Sequence, residues 1–214
     1  MKLYSGPLSL FTAKVRVALR EKGLEAEIVS VPFSRENGYE PKHPEVLARN
    51  PKVQVPVLVD GDLSLYDSTL ILEYLEDRHP EPPLYPREPA EKARCRQLEA
   101  ESDEVLFPSV WELIQEVFYQ PDPAARDAAR VQQATEAIHR FYDRLDARLE
   151  GRDHFCGDFS VADIALFLTL TFATILGAGV QPRHANLGAW FARASQRPSL
   201  AKEAAEMTAF AATL

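Results

Sequence analysis

The chain has 214 residues, 46% of them hydrophobic, which is enough apolar material for one large core or two modest ones and excludes a disordered chain. A formal charge of -8 and a pI near 5.2 argue against a nucleic-acid or anionic-membrane surface, so an anionic ligand needs its own local cation. Cys95 and Cys156 lie far apart in sequence, with neither metal-ligand nor Cys-x-x-Cys spacing; they read as buried, inert thiols, and no metal is expected.

The opening Met-Lys-Leu-Tyr-Ser-Gly begins a strand and lacks the apolar core of a signal peptide. The most apolar run, 164–180, is short for a bilayer span of about 20 residues and is broken by Thr and Gly, so a soluble cytoplasmic protein is expected. Residues 2–5 make a strand, Gly6-Pro7 break it, and 12–22 follow as a helix with Val15, Val17, Ala18 and Leu19 among its apolar positions. Residues 26–31 are the next strand, giving a β-α-β unit whose parallel pairing needs the helical crossover. A polar loop over 32–44 leads to a short helical turn at 45–49.

Residues 50–79 carry the most information. The β-branched run 55–59, the turn signal Asp60-Gly61-Asp62 and the run 63–66 predict a hairpin, after which the period changes. Asp67-Ser68 can cap a helix with Leu70, Ile71, Leu72, Tyr74 and Leu75 largely on one face, and Arg78 and His79 suit its negative end. Pro56 gives up a ladder hydrogen bond at the strand start. If Val55-Pro56 is cis, the Val55 backbone turns outward and offers its N–H and C=O to an extended ligand, beside a helix start suited to a carboxylate. Together these features describe a site for a peptide-like anion.

Pro80, Pro82, Pro83, Pro86 and Pro89 forbid a continuous helix and mark a stiff connector, dividing the chain into domains 1–79 and 90–214 joined by 80–89. Beyond it the pattern is helical over 91–120, 124–149, 160–177, 186–196 and 199–210. Pro108 should kink the first of these, with Phe107 and Trp111 at i, i+4 presenting a face able to wall an apolar pocket. Ser160 and Asp163 form a capping box before the apolar helix, with Phe159 and Ile164 as its hydrophobic staple.

Asn50-Pro51, Val55-Pro56 and Asp67-Ser68 resemble the glutathione transferase family, whose thioredoxin-like domain carries Asn-Pro, then Val-Pro with a cis proline, then an acidic residue and Ser. The capped box before a buried helix is similar to the hallmark of that family's second domain. Two departures stand out: Val53 where the family usually has Gly, and Asp67, one methylene shorter than the Glu of many members. The resemblance implies an α/β thioredoxin-like N-terminal domain followed by an all-α helical C-terminal domain, glutathione as co-substrate without a metal, and a homodimer pairing the first domain of one chain with the helical domain of the other.

Such an enzyme turns a thiol of pKa about 8.5 into a thiolate, which needs a donor aimed at sulfur near a helix N-terminus. Ser9, Thr12, Ser5 and Tyr4 are the hydroxyls in range. The stretch from Ser9 to Arg16 resembles the serine-type classes (tau and zeta), whose catalytic Ser stands five residues before a basic-Val-Arg triplet, and this implies Ser9. Lys42 matches a glutathione-binding Lys of tau-like members, and Gln54 adds an amide donor. With Val55, Pro56, Asp67 and Ser68 they make the implied glutathione site, and Phe11, Phe107 and Trp111 the implied substrate pocket for a small, apolar electrophile. The rival expectation is a non-catalytic binding or regulatory protein on the same fold. A maleylacetoacetate isomerase would carry Ser-Ser-Cys in place of Ser9-Leu10-Phe11, and a cysteine-type thiol transferase would carry Cys at position 9.

Overall fold

A computed structural model describes residues 1–214. The first part of the chain runs β1 (Lys2–Ser5), α1 (Leu10–Glu21), β2 (Glu27–Ser30), α2 (Pro44–Arg49), β3 (Val57–Asp60), β4 (Leu63–Tyr66) and α3 (Ser68–Arg78). Its sheet has the order β2-β1-β3-β4, with β1 parallel to β2 and antiparallel to β3, and β3 antiparallel to β4. The parallel pair is the one joined by a helix, as a crossover requires. This is the thioredoxin-like α/β arrangement, and a helical domain follows it.

Side-chain alternation gives the sheet two covered faces. Tyr4 and Val57, partners across β1 and β3, pack with Val31 and with Val46 of α2, while their neighbours Leu3 and Leu58 point the other way and are equally buried. Helix α1 buries Leu10, Ala13, Val15, Val17, Ala18 and Leu19, and α3 buries Ile71, Leu72 and Leu75. Leu70, expected on that apolar face, is 53% exposed, because the i, i+4 pair Ile71 and Leu75 sets the buried stripe and turns Leu70 outward. Strand β3 opens at Val57 and not at Val55, since Pro56 has no N–H for the ladder.

The ends of α1 and α3 are tied by an ion pair. The Lys22 ammonium, fully buried, lies 2.7 Å from Glu76 and donates to the carbonyls of His79 at 2.7 Å and Pro82 at 2.9 Å. Glu76 also accepts the Leu84 N–H at 3.0 Å, so one buried pair fixes the first residues of the proline segment.

The helical part comprises α4 (Pro89–Glu101), α5 (Phe107–Leu113), α6 (Ala128–Arg148), α7 (Val161–Ile175), α8 (Ala185–Ala194) and α9 (Pro198–Ala211). The single helix expected over 91–120 is divided by π-helical turns at Ser102–Leu106 and Ile114–Phe118. The first lies just before Pro108, whose ring would clash with the carbonyl four residues earlier in a tight α-turn; the wider turn relieves it.

Asp163 is the polar centre of this part. Fully buried, it accepts the Ser160 N–H and hydroxyl, each at 3.0 Å, and the Trp190 indole N–H at 2.8 Å, completing the capping box of α7. Phe159 carries the Arg197 guanidinium 3.6 Å from its ring centroid, and the buried aromatic beside Trp190 is Phe155 at 4.8 Å. Cys95 and Cys156, distant in sequence, meet: a hydrogen bond from the Cys156 thiol pulls Cys95 below the usual thiol range, and the same contact pushes Cys156 up.

Packing divides the chain into Met1–Leu84 with Ala201–Leu214, and Tyr85–Leu200. The later turns of α9 therefore belong with the sheet-bearing unit. No helix is long and apolar enough to cross a membrane.

Candidate active site

Strand register assembles one end of the sheet. Tyr4 pairs with Val57 and Val57 with Tyr66, so the end of β1, the start of β3 and the end of β4 lie side by side. The three segments that continue from those points carry Ser9, Val55-Pro56 and Asp67-Ser68. The topology thus brings these candidates to a single edge.

Ser9 is the N-cap of α1, with its Oγ accepting the Thr12 N–H at 3.2 Å. That bond occupies an acceptor site on the oxygen and leaves the hydroxyl proton to be donated elsewhere. The competing hydroxyls are placed differently. Thr12, fully buried, donates to the Gly6 carbonyl at 3.2 Å and the Ser9 carbonyl at 3.1 Å. The Ser5 hydroxyl is held by Arg16, and Tyr4 lies in the core against His43, 5.1 Å between ring centroids.

The turn that presents Ser9 is supported from beneath by Tyr39, whose hydroxyl accepts the Leu8 N–H at 3.2 Å. A Cβ on Gly6 would stand 2.7 Å from the Tyr39 ring, so glycine is the residue that lets the ring seat there. Tyr39 was absent from the residues read in sequence. The available signal was a pair of aromatics, Phe33 and Tyr39, in the otherwise polar 32–44 loop; their rings pack 4.7 Å apart.

Val55-Pro56 is cis, and the turn before it is organised by Asn50. The Asn50 side chain, buried, donates to the Gln54 carbonyl at 2.7 Å and accepts the Lys52 N–H at 2.8 Å, while its carbonyl accepts the Val53 N–H at 2.8 Å. This geometry holds Val53 at φ 56°, a left-handed conformation that glycine adopts without cost and a β-branched residue does not. Asp67 is also left-handed, at φ 75°. Sparsely populated backbone is concentrated at this edge, as it often is at functional sites.

Asp67 caps α3 through Oδ1, which accepts the Thr69 N–H at 3.2 Å, and its Oδ2 is 2.8 Å from the Lys52 ammonium. Burial pushes the Asp67 carboxyl up, but the Lys52 bond and charge, the Thr69 N–H and the Lys14 charge outweigh it and hold it below the usual carboxylate range. The bond to Asp67 in turn raises Lys52. Sequence reading missed Lys52, because a contact spanning 15 residues between two turns leaves no periodic trace. Ser68 is buried at the first turn of α3. Gln54 is exposed, and Lys42 is paired with Glu40 at 3.2 Å in the loop before α2.

Phe11 follows Ser9 on α1 and carries the Lys14 ammonium 5.5 Å from its ring centroid. Phe107 and Trp111 belong to the helical unit, with ring centroids 6.3 Å apart. Trp111 is 44% exposed and meets Tyr119 edge-on at 6.5 Å, so the aromatic row is longer than sequence spacing indicated.

The fold is a thioredoxin-like α/β domain followed by a helical domain, with Ser9, Val55-Pro56 and Asp67-Ser68 gathered at one end of the sheet. Residues 3–83 match the glutathione S-transferase N-terminal domain and residues 101–198 the glutathione S-transferase C-terminal domain. The chain is 32% identical to glutathione S-transferase 4 of Zea mays, over 95% of this chain and 92% of that protein. It is also 32% identical to a stringent starvation protein A homolog of Coxiella burnetii, over 86% of this chain and 81% of that protein. A glutathione S-transferase of Methylobacillus flagellatus, solved with GSH bound, aligns with a TM-score of 0.78 at 29% identity, over 94% of this chain and 98% of that one. The chain belongs to the glutathione S-transferase family and is an enzyme of that family.

Proposed function

We propose that this transferase binds glutathione along Val55, with the γ-glutamyl end at Asp67 and Ser68 and the glycyl end near Lys42 and Gln54, and that Ser9 donates to the sulfur. The carrying observation is the Ser9 hydroxyl: it caps α1 as an acceptor, keeps its proton to give, and stands where the α1 dipole favours an anion, whereas Thr12 and Ser5 are committed to neighbours. A donor to sulfur stabilises only the thiolate, which is the nucleophile. The bound thiolate then attacks a small apolar electrophile, for conjugation or reduction. Phe11, Phe107 and Trp111 are the proposed pocket residues, and 80–89 the proposed boundary between domains.

Retention on immobilised glutathione and an electrophile panel test this reading, followed by Ser9→Ala. A hydrogen bond to a charged group is worth about 1.5 to 3 kcal/mol, so the bound thiol pKa should rise by about one to two units and turnover near neutral pH fall about ten- to hundredfold. Thr12→Val and Tyr4→Phe are controls. Full activity of Ser9→Ala at pH about 6.5, with loss in a control, would make the other residue the donor.

One observation favours a second reading, a non-catalytic binding protein: the stringent starvation protein A homolog matches as well as the transferases do. Retention of glutathione without turnover of any electrophile would select it.

A further inference from the structure

We infer that Glu203 on α9 is a positioning residue for the turn that presents Ser9, an inference resting on the reading of Ser9 as thiolate donor. Glu203 is 0% exposed, at a place in α9 where Leu200 and Met207, three before and four after it, are core residues. A carboxylate there is tolerated only if fully paired. It is: Oε1 accepts from Arg16 Nε at 3.0 Å and Arg16 Nη2 at 2.5 Å, and Oε2 from Arg16 Nε at 3.2 Å and Arg20 Nη1 at 2.6 Å.

With those two nitrogens committed, the Arg16 fork is fixed and its remaining Nη1 points at the strand-to-helix turn. It donates to the Ser5 hydroxyl and, at 3.2 Å, to the Gly6 carbonyl. The same carbonyl accepts the Ser9 N–H at 3.3 Å and the Thr12 hydroxyl at 3.2 Å. Gly6 C=O is thus a hub joining Ser9, α1 and, through Arg16, a residue nearly 200 positions away. Planar two-sided bonding is what a guanidinium provides and an ammonium does not. Without Glu203, Arg16 loses the partner that orients it, and the turn keeps only its local bonds.

Three readings of Glu203 differ in sign. If it positions the turn, removing it misaligns Ser9 and raises the pKa of the bound thiol. If it acts only through its negative charge, removing it leaves Arg16 and Arg20 uncompensated and lowers that pKa. If it only fastens α9, stability falls and the pKa stays.

The experiment titrates the ultraviolet thiolate absorbance of bound glutathione against pH in the full chain. Glu203→Gln is expected to raise the thiol pKa by about one unit, which lowers the thiolate fraction by up to about tenfold, the full factor being reached below the wild-type pKa, with Glu203→Asp in between. In a Ser9→Ala background the same change should add nothing, because its effect runs through Ser9. Arg16→Lys, which keeps a cation beside Glu203 but not the fork, should shift the pKa the same way and serves if Glu203→Gln fails to fold. Glu206→Gln, which pairs with Arg20 on the surface, is the unchanged control. An unchanged or lowered pKa in both Glu203→Gln and Arg16→Lys, or additive shifts with Ser9→Ala, overturns the proposal while leaving Ser9 in place. An unchanged pKa in Ser9→Ala alone overturns the donor reading beneath it.

Discussion

Asp67 faces two demands, because the ammonium it is proposed to hold in glutathione must share or replace the Lys52 ammonium already 2.8 Å away. Lys52 is 56% exposed, so the pair is solvated and worth about 0 to 1 kcal/mol. Lys52→Ala should therefore tighten glutathione by about fivefold at most, with the advantage shrinking as salt screens the wild-type pair. Calorimetry finding weaker binding would mean that Lys52 itself holds the ligand. Val53 gives a second prediction at this scale. Its left-handed φ of 56° carries a cost of about 1 to 2 kcal/mol for a side chain with a Cβ, partly offset by the greater unfolded freedom of glycine. Val53→Gly should raise stability by about 1 kcal/mol in urea unfolding, and a loss would show that the packing of the valine outweighs its backbone strain. The Lys52 contact was not legible beforehand, and Val53 stood out only as a departure from the family's usual Gly, with nothing in its own sequence to mark its backbone. Valine reads as strand by propensity, and only the Asn50-centred turn forces it left-handed.

Elements were far more readable than contacts. The β-branched run 55–59 and the Asp60-Gly61-Asp62 turn placed the β3–β4 hairpin, and the capping residues Asp67 and Ser160 placed the starts of α3 and α7, because these are local signals, whereas α1, expected from residue 12, begins at Leu10 behind the Ser9 cap. The π-helical turns around α5 were not readable beyond the presence of Pro108, and Glu203 hid as one acidic residue among others on α9. A prediction belongs to α7. His154 Nδ1 lies 3.4 Å from Asp163, and the interaction with that carboxylate, opposed by burial, raises its pKa above the ordinary 6.5. Because the folded value is the higher one, the stabilisation is fully present below the unfolded pKa and fades as pH rises through the folded pKa. His154→Gln should thus lower Tm in mildly acidic buffer and leave it nearly unchanged at alkaline pH. Equal losses at both would assign His154 a packing role independent of charge.

At the scale of the whole molecule, the family resemblance proposes a homodimer, and sedimentation at micromolar concentration should give twice 24.0 kDa; a monomer would exclude it. The grouping of Ala201–Leu214 with Met1–Leu84 has a different consequence, one of timing. During synthesis the ribosome delivers the sheet, α1 and the Ser9 turn long before it delivers Glu203, at a pace of about 5 to 20 residues per second. For those seconds Arg16 and Arg20 have no buried carboxylate to close on, and the glutathione-binding unit is a scaffold waiting for its final strut. A nascent chain stalled short of residue 200 should therefore be digested by protease in the α1 region and fail to hold glutathione, whereas one extended past residue 214 by a tunnel-spanning linker should resist and bind.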